Sequence, residues 1–345
     1  MSRVEAAQRR RRRNHCAPIG GSMDKIDPSE LSFVSNGLSR PECILCTASA
    51  GMFVSHDPIG VLHIAADGSR KLYGRQDGVT SQQFTPNGIA LMPDGRLMIA
   101  NSGLEGGVWQ VDRSGDCRPF LMEVEGRHLY PVNFVLADKE GRLWISVSTC
   151  QVPRAKAYRH DIADGYIVLW DGKTARIVAE GFGYTNECRL SNDGAYLYVN
   201  ETFARRISRL PVAADGSLGA RETFAELGIG DYPDGGTFDA MGGYWLTSVV
   251  SNRIYRFEPD GRPRLMFEDA DPAYVAMAEQ SFKKEGLTAE ILYADAGKTL
   301  NHIASIAFGG EDMRTAYLGT LKMNCFPTFR SPVPGVRPVH WNWTF

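Results

Sequence analysis

The sequence predicts an all-β protein, a six-bladed β-propeller with four-stranded blades and one helical insertion before the last blade. Three observations support this prediction. A polar residue, a short apolar run, a glycine-containing turn and a second apolar run recur along the chain. The copies begin at Glu42, Asn87, Asn133, Asn186 and Asp234, at spacings of 45, 46, 53 and 48 residues. Each copy is followed by further strand and turn signals, as expected for propeller blades of about 40–50 residues.

The repeated phrase has the pattern of a β-hairpin. The five copies read "PECILCTASAGMFVS", "PNGIALMPDGRLMIA", "VNFVLADKEGRLWIS", "TNECRLSNDGAYLYV" and "PDGGTFDAMGGYWLT". The last four share a turn glycine, where a hairpin needs a residue that tolerates positive φ: Gly95, Gly141, Gly194 and Gly242. Ten positions after each first polar residue stands an apolar strand residue: Met52, Leu97, Leu143, Tyr196 and Tyr244. A sixth, looser copy, "SIAFGGEDMRTAYLG", has a longer turn.

One segment breaks the strand pattern before this last copy. It reads "AYVAMAEQSFKKEGLTAEILYADA" and follows Asp271 and Pro272, which suit a helix cap and a first helical turn. Tyr274, Ala278 and Phe282 lie near helical spacing. We therefore predict a helical insertion over about 271–296 that packs on the flank of the propeller, with a lid or a subunit contact as the alternatives.

The composition is that of an ordinary soluble chain. It has 345 residues, 43% of them hydrophobic, and a formal net charge of -2, which favours neither nucleic acid nor an acidic ligand as a partner. An apolar run of about 18 residues and the apolar core of a secretory signal are both missing from the sequence, so we expect a cytoplasmic protein without a membrane partner. A homo-oligomer is left open. The seven scattered cysteines suggest reduced, buried thiols.

The N-terminus differs from the rest of the chain. Arg9 to Arg13 form a run of like charges among few large apolar residues, which favours a disordered basic extension over residues 1–25 rather than a nucleic-acid arm. Met23 is an alternative start. Residues 26–345 are predicted to form a single propeller domain.

The first polar residues of the repeats are the candidate site. The first strand of each propeller blade lines the central channel, so equivalent residues of successive repeats meet around one axis. Two carboxylates facing each other there, Glu42 and Asp234, would repel unless a cation lay between them. With amide oxygens beside them, the set suits Ca²⁺ first, with Mg²⁺, Mn²⁺ or Zn²⁺ as alternatives. A second interpretation is turn chemistry, because "PNG" and "PDG" are common turn sequences.

The same phrases resemble a known family. "RPEC", "PVNFVLADKEGRLW", "TNECRLSNDGAYLYVNET", "YPDGGTFDAMGGYW" and "IAFGGEDMRTAYLG" are similar to sequences of the gluconolactonase and senescence-marker-protein family of six-bladed propellers. The resemblance covers roughly residues 38–325. It implies that Glu42, Asn186 and Asp234 bind the metal, that Asn133 lies beside it and helps to hold water or substrate, and that Asp234 is also the general base.

Two departures from the family pattern concern the substrate. Members that act on sugar lactones often carry an arginine two residues before the asparagine of the third repeat, and this chain has Pro131 at that position. They also often carry a glycine directly after the asparagine of the fourth repeat, and this chain has Glu187 there. The first change removes a hydroxyl-binding cation and argues against a free sugar lactone. Alternation along an extended strand would turn Glu187 away from Asn186, which favours a structural residue over a third carboxylate of the site.

The resulting hypothesis is a metal-dependent lactonase. A divalent ion would hold the lactone carbonyl and lower the pKa of its bound water, and Asp234 would take a proton as that water attacks. The alternatives are another reaction at the same metal site, such as phosphotriester hydrolysis or isomerisation, and a propeller that binds a ligand without catalysis.

Further residues near the repeats are candidates for the substrate pocket. Asn87 belongs to the repeated set, and the others precede or follow channel residues: His128, Tyr130, Tyr184, Glu187 and Tyr232. His302 lies just ahead of the sixth repeat and could reach the mouth of the channel, although a buried or surface role is the alternative. Cys43 and Cys46 form a lone C-x-x-C in a strand-like run and are interpreted as core thiols.

Overall fold

The chain folds into a six-bladed β-propeller. The computed structural model describes residues 23–49, 51–295 and 297–345. Six antiparallel sheets of four strands each form the blades, and the innermost strands of neighbouring blades pack against one another in a closed ring. The predicted fold class is confirmed. The basic run Arg9 to Arg13 lies outside the described residues.

The blades follow one another along the chain, each built from four consecutive strands. Blade 1 holds β2 (Ile44–Cys46), β3 (Met52–His56), β4 (Gly60–Ile64) and β5 (Arg70–Gly74). Blade 2 holds β6 (Pro86–Leu91), β7 (Leu97–Asn101), β8 (Val108–Val111) and β9 (Cys117–Leu121). Blade 3 follows a small hairpin of β10 (Glu123–Val124) and β11 (Arg127–His128), and holds β12 (Val132–Ala137), β13 (Leu143–Val147), β14 (Gly165–Trp170) and β15 (Ala175–Phe182).

The second half of the ring has the same order. Blade 4 holds β16 (Thr185–Leu190), β17 (Tyr196–Glu201), β18 (Arg206–Pro211) and β19 (Glu222–Glu226). Blade 5 holds β20 (Pro233–Phe238), β21 (Tyr244–Ser248), β22 (Arg253–Phe257) and β23 (Pro263–Glu268). Blade 6 holds β24 (Ile303–Gly309), β25 (Thr315–Thr320), β26 (Phe326–Arg330) and the N-terminal strand β1 (Ser32–Val34).

The ring is closed by the N-terminal strand. β1 pairs antiparallel with β26, with Phe33 opposite Pro327, and so completes the last blade from the other end of the chain. Thr320 donates its backbone N–H to the carbonyl oxygen of Pro41 at 2.9 Å, which joins blade 6 to blade 1. Closure leaves the first and last blades joined as the others are, so the ring has no open edge between them.

The predicted hairpins are confirmed in their details. Gly95, Gly141, Gly194 and Gly242 have φ values of 85°, 76°, 73° and 82°, which side chains larger than glycine rarely adopt. The second strand of each of the five hairpins begins at the apolar residue predicted for it. These residues are Met52, Leu97, Leu143, Tyr196 and Tyr244.

The predicted insertion lies between blades 5 and 6 and contains two helices, α1 (Pro272–Lys284) and α2 (Ala289–Leu292). The Asp271 side chain accepts hydrogen bonds from the N–H groups of Ala273 and Tyr274 and so caps α1. Phe282 packs edge-on against Tyr232 with ring centroids 5.2 Å apart, and Glu279 pairs with Arg205 of blade 4 at 2.9 Å. The apolar face of α1 is therefore held against the propeller.

The opposite end of the channel is crossed by the C-terminal strap, residues 331–345. Val336 donates its N–H to the carbonyl oxygen of Phe238 in blade 5 at 3.2 Å, and Ala48 in blade 1 donates to that of Trp341 at 2.8 Å. Arg113 of blade 2 donates to the carbonyl oxygen of Thr344 at 3.1 Å. The strap thus joins three blades beneath the channel.

Two further expectations concern membrane-spanning helices and the state of the cysteines. Neither α1 nor α2 is long and apolar enough to cross a membrane, and the same holds for every helix in the described part of the chain. The six described cysteines are free thiols. Cys43, Cys46, Cys188 and Cys325 are buried, as expected, whereas Cys117 is partly exposed and Cys150 is exposed; Cys16 lies outside the described residues.

Candidate metal centre

A β-bulge marks the channel residue in most blades. The pairing of the first two strands shifts register between Pro86 and Ile89, between Val132 and Phe134, between Thr185 and Cys188, and between Pro233 and Gly236. Each shift contains the Asn or Asp that begins the repeat. A bulge frees residues from the strand ladder and redirects their side chains, so the fold turns these groups towards the axis.

The five repeat residues meet at one end of the channel, which we call the upper end. They share a cavity of about 40 Å³. All five side chains are buried, with exposed fractions of 2–5%. They are Glu42, Asn87, Asn133, Asn186 and Asp234. In the sixth blade the corresponding bulge, between Ile303 and Ser305, holds Ala304, which contributes no side-chain oxygen.

The glycines after two of these residues are required for packing and do not form turns. Gly88 and Gly235 lie inside β6 and β20. A Cβ atom at Gly88 would come within 2.7 Å of the Cα atom of Phe134, and one at Gly235 within 2.5 Å of the carbonyl oxygen of Ala304. The interpretation of "PNG" and "PDG" as turn sequences is therefore wrong, because at these positions the neighbouring blades approach too closely for a side chain.

Hydrogen bonds fix two of the three amide groups, and two of the three amide oxygens are without a partner among the described residues. Asn87 donates from Nδ2 to Glu42 Oε1 at 2.7 Å and to the carbonyl oxygen of Asn133 at 2.9 Å. Asn186 donates from Nδ2 to Thr202 Oγ1 at 2.9 Å. The buried Oδ1 atoms of Asn133 and Asn186 have no hydrogen-bond partner among the described residues. Buried oxygens without donors are costly unless a ligand satisfies them.

The site is also electrostatically strained. Burial raises the pKa of the Asp234 carboxyl well above its usual range, and the negative charges of Glu42 and Glu187 raise it further. Arg40 partly offsets this charge, since its Nη2 lies 2.6 Å from Glu42 Oε2. Arg40 and Tyr184, which both line the cavity, have positive φ values of 47° and 66°. Such backbone strain is found mainly at functional sites.

The donor set fits a hard divalent cation. Two carboxylates and three amide groups supply only oxygen, the ligand type that Ca²⁺ and Mg²⁺ prefer. A cation would satisfy the free oxygen of Asn186 and relieve the repulsion between Glu42 and Asp234. A cluster of three or more His, Cys, Asp or Glu side chains suited to a metal does not occur in the described parts of the chain, so a site here depends on amide oxygens.

Residues from outside the repeats cover the cavity, and we call them the roof. Arg154 belongs to a short 3-10 helix, Arg154–Ala157, in the loop between β13 and β14, and Leu292 and Tyr293 come from the end of the insertion. Tyr184 completes this wall. The insertion thus does more than pack on the flank of the propeller, since its last turn reaches the channel mouth.

Sequence reasoning missed Arg154, which follows no repeat. The absence of the arginine at Pro131 suggested that the site lacks a cation, and Arg154 supplies one from another loop. The only sequence signal was a run of basic and aromatic residues, "RAKAYRH", inside a long connection between two strands. Long connections in compact folds often carry functional residues.

Of the predicted pocket residues, Tyr184 lines the cavity with Glu42, whereas His128 and Tyr130 do not. His128 is exposed on β11, and with Tyr130 it lines a separate cavity of about 440 Å³ beside Cys150 and Tyr166. The small hairpin of β10 and β11 carries His128 away from the axis before the chain enters blade 3. The structure therefore does not bring these two side chains together with the five repeat residues.

Tyr232 and His302 are also placed elsewhere. Tyr232 is fully buried beneath α1, in contact with Phe282. His302 is fully buried too, and its ring nitrogens lie 3.1 Å from the carbonyl oxygen of Val249 and 2.5 Å from that of Ala294. Burial lowers the pKa of His302. The insertion covers both side chains, so they hold the roof in place rather than line the cavity.

Glu187 is buried beside the cavity without lining it. Its Oε2 lies 3.0 Å from Arg189 Nη2 and accepts a hydrogen bond from the N–H of Gly236 at 3.3 Å. Burial raises the pKa of Glu187 to about 7, and Arg189 opposes this shift. The bulge between Thr185 and Cys188 interrupts simple alternation, so Glu187 stays near enough to influence Asp234, as a paired structural carboxylate.

Comparison with known proteins identifies related sequences. The sequence model of the SMP-30/Gluconolactonase/LRE-like region matches residues 75–268. A 6-deoxy-6-sulfogluconolactonase of Pseudomonas putida is 27% identical over 256 residues, which are 72% of this chain and 74% of the relative.

Solved structures share the fold. A gluconolactonase of Xanthomonas campestris superposes with a TM-score of 0.63 at 17% identity, covering 88% of this chain and 89% of that one. The calcium-binding protein regucalcin of Agrobacterium tumefaciens gives a TM-score of 0.64 at 17% identity, covering 90% and 96%. The match of the family's sequence model to more than half of the residues, on a propeller that brings the repeated Asn and Asp side chains together, means that the chain belongs to the SMP-30/gluconolactonase/LRE-like family.

Proposed function

We propose that the protein is a metal-dependent lactonase whose reaction takes place at the upper end of the channel. The observation that supports this most strongly is the convergence of five oxygen-bearing side chains from five blades on one small buried cavity. Two of their oxygens are without partners among the described residues. The names of the relatives support lactone hydrolysis as the reaction class.

Glu42, Asn186 and Asp234 would hold the ion, and Ca²⁺ is the first candidate. When bound, a divalent ion polarises a carbonyl group and stabilises the negative charge that develops on its oxygen. Asn87 keeps Glu42 oriented through its 2.7 Å hydrogen bond. Asn133 presents its free Oδ1 to the same cavity, where it can accept a hydrogen bond from water or from a substrate hydroxyl.

Asp234 would act as the general base. As water attacks the carbonyl carbon, the Asp234 carboxylate accepts its proton, and the same proton can pass to the ring oxygen when the ring C–O bond breaks, giving a hydroxy acid. The base must be ionised for this. Burial and Glu42 oppose ionisation, and a cation beside the two carboxylates favours it. The roof would exclude bulk water from the reaction.

The experiment is a lactone screen with controlled metal content. The purified protein is stripped with a chelator and reloaded separately with Ca²⁺, Mg²⁺, Mn²⁺ or Zn²⁺, and ring opening of neutral and anionic sugar lactones is followed by proton release. We expect hydrolysis that is lost on stripping and restored by one of these ions, with one ion bound per chain. A protein that binds the ion and opens none of the lactones would favour a ligand-binding propeller.

A further inference from the structure

Arg154 stands out among the arginines near the channel because it lacks an acidic partner. Arg40 pairs with Glu42, Arg189 with Glu187, and Arg205 with Glu279. In the described residues, Arg154 forms no ion pair with a carboxylate. Its one hydrogen bond joins Nη2 to the hydroxyl oxygen of Tyr293, at 3.3 Å. This guanidinium group lies in the wall of the same cavity as Glu42 and Asp234.

The polar groups nearest to Arg154 are uncharged tyrosine hydroxyl groups, while Glu42 acts on its guanidinium group across the cavity. The hydroxyl oxygen of Tyr293 accepts the hydrogen bond from Arg154, and Tyr158 and Tyr184 lie close by. A tyrosine hydroxyl group is protonated at neutral pH and can donate a hydrogen bond. Tyr158 and Tyr184 also pack edge-to-face, with ring centroids 5.5 Å apart. The roof therefore combines a planar cation with neutral donors.

Removing a guanidinium group from water without a counter-ion is unfavourable, so a partly buried arginine without an acidic partner indicates a site for an external anion. The fork of five N–H donors matches the paired oxygens of a carboxylate, phosphate or sulfonate group. A lysine would provide the charge but not this geometry.

The charge balance of the site points the same way. Glu42 and Asp234 supply two negative charges, which a divalent ion between them would neutralise. Arg40 and Arg154 would then remain as excess positive charge at the cavity. A neutral substrate would leave that charge uncompensated, whereas a substrate with one anionic group would offset part of it.

We propose that Arg154, with the neighbouring tyrosine hydroxyl groups, binds an anionic substituent of the substrate, so that the preferred lactone carries a sulfonate, phosphate or carboxylate group away from the reacting carbonyl. This inference rests on the proposed function in one respect, namely that the substrate is a lactone. The anion site itself depends only on the contacts of the roof, and its test does not require catalysis.

The test measures binding by calorimetry to the calcium-loaded full chain. The ligands are glucose, glucose 6-phosphate, glucose 6-sulfate and glucuronate, which share a sugar ring and differ in the anionic group. The variants are Arg154→Gln, Arg154→Lys and the matched control Arg159→Gln. Arg159 is exposed, belongs to the same connection and is paired with Asp161 at 2.5 Å.

We expect at least one anionic sugar to bind the parent protein about 100-fold more tightly than glucose does. Arg154→Gln should abolish that preference, Arg154→Lys should restore part of it, and Arg159→Gln should leave it unchanged. The ranking of the three anions identifies the group. Equal binding of glucose and all three anions, or a preference that survives in Arg154→Gln, overturns the inference.

A parallel activity measurement separates this inference from the proposed function. If the lactone screen fails but the anion preference depends on Arg154, the lactonase proposal is wrong and the anion site stands. If neutral and anionic lactones are opened equally by the parent and by Arg154→Gln, the lactonase proposal stands and the anion site is wrong. Calcium affinity of Arg154→Gln, measured in the same titrations, should match that of the parent; a tenfold fall would make Arg154 part of the metal site instead.

Discussion

The two ends of the channel are built from the same strands and differ in almost every other respect. The upper end has a cavity of about 40 Å³, walled by two carboxylates, three amides and the roof. The lower end has a cavity of about 520 Å³ above the C-terminal strap. Its inner wall is formed by apolar residues such as Leu45, Ile89 and Val135. Charged residues such as Asp138, Arg142 and Asp193 line it as well, and they belong to the hairpin turns between the first two strands of blades 3 and 4.

The difference shows that the size of a cavity and the chemistry of the residues that line it are separate properties of this fold. The residues of the upper end begin the inner strands and are freed from the ladder by bulges, so their side chains can turn to the axis. The inner-wall residues of the lower end, such as Leu45, Ile89 and Val135, lie within regular strand pairing. The upper end therefore carries the reaction in our proposal, and variants at the two ends should have different consequences.

The largest expected effect is that of Asp234→Asn at the upper end. Loss of the general base and of one negative ligand should lower kcat/KM for a lactone by about 1000-fold, because general-base catalysis alone contributes about 10²–10⁴-fold. Asp193→Asn at the lower end is the matched control, since Asp193 is exposed and lines the large cavity. Equal activity of the two variants would remove the distinction between the two ends.

Glu42→Gln tests the metal rather than the base. Replacing one of two carboxylates by an amide should weaken Ca²⁺ binding by about 100-fold, because affinity for Ca²⁺ depends strongly on the number of charged ligands. Calorimetric titration of chelator-stripped protein measures this. Glu222→Gln, which alters an exposed carboxylate paired with Arg209, should bind Ca²⁺ as the parent does. Unchanged affinity in Glu42→Gln would place the ion elsewhere.

At the lower end we expect His340 to affect the pH dependence of the free energy of unfolding. His340 of the strap is buried there, and burial lowers its pKa from 6.5 to about 4. In the unfolded chain His340 is therefore protonated below about pH 6.5, whereas in the folded chain it is protonated only below about pH 4. The free energy of unfolding consequently falls as the pH decreases through this range. From pH 7.5 to pH 5 this residue alone should cost about 2 kcal/mol.

His340→Gln should remove that contribution, and the exposed His160→Gln should not. The measurement is the free energy of unfolding in urea at pH 7.5 and pH 5 for the parent and both variants. A slope in His340→Gln as steep as that of the parent would contradict the prediction. Lactone hydrolysis by His340→Gln at pH 7.5 should remain at the parental level, which again separates the two ends.

The residues of the upper end could be predicted from the sequence because they occupy equivalent positions in a symmetric repeat. Once the repeat was recognised, Glu42, Asn87, Asn133, Asn186 and Asp234 had to lie at similar heights around one axis. The roof follows no repeat, so Arg154 and Tyr293 could be placed only by the folded chain. The same limit explains His128 and Tyr130. His128 lies on the second strand of a small hairpin outside the blade, and the chain bends at Pro131 before it reaches Asn133, so proximity in sequence does not bring these side chains to the cavity.

Glu187 illustrates a subtler limit. Period-two alternation is a sound expectation for a regular strand, but a bulge at Asn186 breaks it, and bulges leave almost no trace in a single sequence. The glycines in "PNG" and "PDG" were the available trace. Turn chemistry is the alternative interpretation of these glycines, whereas in the structure they let neighbouring blades approach within the ring.

The small volume beneath the roof has a consequence for timing. A cavity of about 40 Å³ holds about one water molecule, whereas sites for small organic ligands usually measure about 300–1000 Å³. A lactone is larger than this volume, so we expect Tyr293 and Arg154 to shift when it enters. The connection that carries Arg154 is joined to the insertion that carries Tyr293 by the hydrogen bond from the N–H of Leu287 to the carbonyl oxygen of Tyr158, at 2.7 Å. Each catalytic cycle would then include two passages through a gate, and the frequency of its opening would set the upper limit of turnover, however fast the chemistry below.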